Sequence, residues 1–96
     1  MKYIVIFKAK TNSLDEEYSR TAQLLREKAL TQFNYQKFEA ITENDVEIAL
    51  SYWNTLEDIQ IWHKDAEHQV AQRLGKQKWY KNFSVEICEI LRTYAN

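Results

Sequence analysis

The apolar residues of this chain recur with two periods, one of strands and one of helices. Residues 3–9, Tyr-Ile-Val-Ile-Phe-Lys-Ala, are β-branched, aromatic and largely apolar on both parities. That pattern predicts a central strand covered on both faces. Ser13 and Glu16 then stand at capping-box spacing, and Leu14, Tyr18, Thr21, Ala22, Leu25 and Ala29 follow at helical period. This predicts a helix from about residue 14 to about residue 31. Residues 35–42 and 46–53 read as two strands of a hairpin closed by Glu43-Asn44-Asp45, where Asn and Asp tolerate left-handed backbone.

The stretch 51–80 holds all three tryptophans, both histidines and the one glycine. It reads as a strand end, a cap at Asn54 or Thr55, and a long helix with Glu57 and Asp58 at its positive end. Leu56, Ile59 and Trp62 change phase with Ala66, Val70 and Leu74, so the helix can break near Ile61-Trp62. Gly75 is placed to end it in a left-handed cap. The last strand spans roughly residues 82–92, with Phe83, Val85, Ile87 and Leu91 on one parity and Cys88 and Ile90 on the other.

The order βαββαβ predicts an α+β, ferredoxin-like domain: a four-stranded antiparallel sheet with both helices on one face. The helices cover only one sheet face, yet the first and last strands carry apolar residues on both parities: Tyr3, Val5 and Phe7 against Ile4 and Ile6, and Val85 and Ile87 against Cys88 and Ile90. A second copy of the chain is the economical cover, which predicts a homodimer.

Composition narrows the function classes. Ninety-six residues make one domain, and one glycine with no proline predicts short loops. A formal charge of −1 supplies no basic field for nucleic acid. There is no apolar run of membrane-spanning length and no signal-peptide pattern, and the single Cys88 permits no internal disulfide. A cytoplasmic protein is expected. Cys88 reads as an inert thiol, and Asp65 and Glu67 as solvated helix charges. His63 and His68 are about 140° apart on a helix and cannot form an i, i+4 metal pair, so no metal site is expected.

Ser51-Tyr52-Trp53, Trp62 nine residues on, Ala66-Glu67-His68, Ala71-Gln72-Arg73-Leu74-Gly75, Trp79-Tyr80 and Arg92-Thr93-Tyr94 together resemble the antibiotic biosynthesis monooxygenase (ABM) domain family. The resemblance covers nearly the whole chain and implies a homodimer whose two sheets form an α+β barrel. It also implies a cavity between helices and sheet, in which some members oxidise aromatic polyketides without a metal or organic cofactor. Other members bind and degrade haem. For that branch, Trp62 matches the site tryptophan, Gln72 stands at the haem-ligand histidine, and Phe7 stands near the strand asparagine. The resemblance therefore implies weak haem binding at most, and no cofactor.

Phe7, Trp53, Trp62, His68 and Gln72 are the candidate substrate-pocket residues, with Trp62 and His68 as the candidate catalytic pair. His68 offers a general base, a displaced ligand or a hydrogen-bond donor, against the plainer role of fixing the helix on the sheet. The tryptophans offer a wall for a flat aromatic ligand, against the plainer role of core packing. Two function classes follow: a small oxygenase, acting on an aromatic or polycyclic molecule without metal or else as a weak haem-binding, haem-degrading protein, and a non-catalytic dimeric binding or structural module.

Overall fold

The computed structural model of the chain describes residues 2–12, 16–32, 36–72 and 79–96. The elements run β1 (Tyr3–Thr11), α1 (Glu16–Gln32), β2 (Lys37–Glu43), β3 (Val46–Trp53), α2 (Leu56–Gln72) and β4 (Tyr80–Glu89). The four strands form one antiparallel sheet in the order β2-β3-β1-β4, with β1 paired to both β3 and β4. This is the predicted ferredoxin-like α+β arrangement.

Local chemistry explains the joints. Asn44 and Asp45 turn the β2–β3 hairpin with φ of 50° and 66°, the two-residue primed turn whose twist matches that of the strands. Thr55 caps α2: its Oγ1 accepts the Asp58 backbone N–H at 3.1 Å, satisfying one orphan donor of the first turn. Helix α2 runs unbroken through Ile61 and Trp62, which corrects the expected break. Within this helix Leu56 and Ile61 are exposed while Ile59 is buried, so not every apolar residue marks the packed face. The last strand begins and ends earlier than expected, at Tyr80 and Glu89. The Ser13 capping box and the Gly75 cap lie outside the described residues.

Register separates the two sheet faces. Val5 stands opposite Ser51 and Ile87, Phe7 opposite Ala49 and Val85, and Ala9 opposite Glu47 and Phe83. This parity is the inner face, since Val5, Trp53 and the α2 residue Ile59 form the buried core, with Tyr3, Trp62 and Val85 packed on it. The α1 residue Tyr18 bonds to Glu47 on the same parity, so both helices lie on one side. The outer parity carries Ile4 and Ile6 on β1, Ile48 and Leu50 on β3, Ile41 on β2 and Cys88 on β4. Ile41 is 68% exposed there. Lys28 and Asp65 tie α1 to α2 at 3.2 Å; Asp65 is thus an inter-helix ion pair, where a solvated charge was expected. Among the described residues no helix is long and apolar enough to cross a membrane.

Candidate functional site between the helices and the sheet

Trp53 ends β3 on the inner face and is fully buried. Its indole Nε1–H donates to Ser51 Oγ at 2.9 Å; Ser51, two residues back, shares its parity. Trp62, two turns into α2, lays its ring 5.4 Å from that of Trp53. The spacing of nine residues thus brings the two rings together. Trp62 differs in one respect: its Nε1 is buried and has no hydrogen-bond partner among the described residues. A buried N–H left unpaired costs about 1–3 kcal/mol, so a native chain that keeps one invites a functional account.

From the tryptophans the inner face runs through small residues. Ala49 is half-buried and Ala40 exposed, and the two stand opposite each other on β3 and β2. Phe7 lies beside Ala49 in register, its ring 5.4 Å from Tyr80 and 5.9 Å from Phe83. Phe7, Trp53 and Trp62 therefore share the interior between helices and sheet. His68 and Gln72 lie on the same helix as Trp62, but their side chains fall outside the described residues.

Beyond Phe7 stands a group that sequence reasoning missed. Glu47 is 8% exposed on the inner face of β3, and the Tyr18 hydroxyl donates to its carboxylate oxygens. The Tyr18 ring packs edge-on against Trp79 at 5.2 Å and Tyr80 at 6.1 Å. Burial, then the bond to Glu47, pushes the Tyr18 hydroxyl far above the usual phenol range. Burial and the charge of Glu47 raise Tyr80 to about 12, against a smaller lowering by its hydrogen bond with Tyr18. Both phenols are therefore neutral donors at ordinary pH. Parity would have flagged Glu47, which alternates in step with Ala49, Ser51 and Trp53; its partner Tyr18, 29 residues away on a helix, carries no local signal. Among the described residues no cluster of three or more His, Cys, Asp or Glu could hold a metal ion.

The chain is 31% identical over 91 residues to the uncharacterised protein YqjZ of Bacillus subtilis, covering 94% of this chain and 80% of YqjZ. The chain belongs to the YqjZ family. No family model matches it. The YqjZ-family fold seen here is that of SnoaB, a cofactor-independent oxygenase from Streptomyces nogalater, with a TM-score of 0.77 at 6% identity over 99% of this chain and 98% of SnoaB. A dimeric ferredoxin-like protein from an uncultured marine organism matches with a TM-score of 0.60 at 8% identity, over 98% of this chain and all of its own. The fold is thus the ABM-like α+β fold expected from the residues of the second half.

Proposed function

We propose that this YqjZ-family protein is a small monooxygenase that takes a flat aromatic or polycyclic molecule between its helices and sheet. The unpaired, buried Trp62 Nε1–H is the observation that carries the reading. It lies beside a second indole in a mostly apolar interior, where one fixed donor orients a ligand oxygen. Such a donor also strengthens as negative charge develops on that oxygen in an oxidation. The likeness of the fold to SnoaB supports the reading.

The reaction draws its electrons from the substrate. A methylene carbon between aromatic rings, once deprotonated, passes four electrons to O2; one oxygen atom becomes the ring carbonyl and the other leaves as water. Trp62 donates to the substrate oxygen, and His68, further along α2, is the proposed proton acceptor. Haem does not suit these residues. Phe7 is apolar and packed on Tyr80 and Phe83, and the amide of Gln72 is a poor iron ligand. The working unit is a homodimer in which the second copy covers the outer face around Ile6, Ile48 and Leu50. A buried lysine there is costly, so Ile48→Lys should turn dimer into monomer or aggregate in light scattering. A monomeric parent at micromolar concentration would contradict the dimer.

The activity is tested with anthrone as probe, following oxygen uptake and the absorbance of the anthraquinone product. The parent should accelerate the conversion over buffer, and Trp62→Phe should slow it about 100-fold, the typical loss of one oxyanion-type donor. No acceleration by the parent, or an unchanged rate in Trp62→Phe, overturns the reading.

A further inference from the structure

Glu47 is a carboxylate more than nine-tenths buried. Among the described residues the ion pairs are Arg20–Glu16, Lys28–Asp65 and Lys37–Glu39; none reaches Glu47. Its hydrogen-bond partner is the neutral Tyr18 hydroxyl. A buried carboxylate normally has a cation or several donors around it. An ionised carboxylate offers about four acceptor sites, and one phenolic proton leaves most of that capacity unused.

Its place in the fold matters as much as its chemistry. Glu47 stands opposite Ala9 on β1, so no large neighbour from the next strand overhangs it on that side. Phe7 sits one inward-facing position from Ala9 and touches Tyr80, which touches Tyr18. The same inner face therefore carries the Trp62 donor toward one end and the Glu47 acceptor toward the other. Six residues of β3 separate Glu47 from Trp53, about 20 Å between their Cα atoms at strand rise, and the Glu47, Trp53 and Trp62 side chains reach into the interior between them.

We propose that Glu47, oriented by Tyr18, is a hydroxyl-recognition subsite: it accepts a hydrogen bond from a phenolic or enolic O–H of the ligand at the end of the interior opposite Trp62. The inference rests on the ligand chamber proposed above and adds to it the residue that recognises a ligand hydroxyl. Glu47 is a binding residue here, and Tyr18 a positioning residue.

The test compares two inert probes, 2,6-dihydroxyanthraquinone and anthraquinone, by quenching of tryptophan fluorescence. The parent should prefer the hydroxylated probe, and Glu47→Gln should cut that preference about 10-fold or more, as loss of a hydrogen bond to a charged group does. Anthraquinone affinity should stay within about 2-fold, which a merely structural role for Glu47 would not allow. Glu47→Asp keeps the charge and withdraws it by one methylene; it should fall between, and it serves if the glutamine variant fails to fold. An undiminished preference in either folded variant, or equal weakening of both probes, overturns the subsite. If the parent binds anthraquinone with no hydroxyl preference, the subsite falls and the chamber stands. If neither probe binds, both fall.

Discussion

The two ends of the inner sheet face handle buried polarity in opposite ways. At one end, Trp53 gives its indole N–H to Ser51, while Trp62 beside it keeps a buried donor with no acceptor among the described residues. At the other, Glu47 is a buried acceptor met by the neutral donor Tyr18. The first end is apolar packing around one unused N–H; the second is an aromatic collar around one charge. An unmade hydrogen bond weakens the free protein and becomes worthwhile only when something else completes it. The difference therefore separates what is satisfied within the fold, the Trp53–Ser51 bond and the proton that Tyr18 gives Glu47, from what awaits a ligand, the Trp62 N–H and the rest of the Glu47 acceptor capacity.

The contrast can be broken most severely at Trp53. Trp53→Ala removes one of the two largest fully buried side chains and should cost about 3–5 kcal/mol, read as a lower urea midpoint with an unchanged slope; a loss under about 1 kcal/mol would remove Trp53 from the core. At the polar end, Tyr18→Phe strips the donor from a buried carboxylate and should cost about 1–3 kcal/mol. Alkali probes the same end without mutation. Tyr80 is raised to about 12 in the folded protein from about 10 unfolded. Above pH 10 the unfolded chain releases its proton while the folded one holds it, so stability falls as pH rises from 10 to about 12. The slope should be shallower in Tyr80→Phe, and an equal slope would mean that the hydroxyl is solvated.

Much of this could be read from the residues, and the misses have physical causes. β3 was legible to its ends because Val46–Trp53 is bounded by Asn-Asp on one side and a helix cap on the other. The residues name Trp53 and Trp62 together as candidate pocket residues but do not foretell the contact of their rings; Asn54 and Thr55 are equal candidates for the cap, and it is Thr55 that accepts the Asp58 N–H. The end of β4 was not legible: Leu91 and Tyr94 continue its apolar character, yet both are 84% exposed beyond Glu89. Nor was the Glu47–Tyr18 pair, because a carboxylate in a strand reads as solvent-facing until its parity is set by its neighbours. The unpaired state of Trp62 Nε1 depends on what does not surround it in three dimensions, which no spacing encodes.

The central claim is that this buried indole N–H belongs to a ligand, and the indole region of a 15N–1H correlation spectrum tests it most directly. Three tryptophans give three indole signals, and Trp62→Phe assigns the one that matters. Titration with anthraquinone should move the Trp62 signal downfield and saturably, while that of Trp53, already bonded to Ser51, moves far less. A Trp62 signal that stays in place at probe concentrations that saturate the fluorescence change, or no response to the probe at all, would contradict the account.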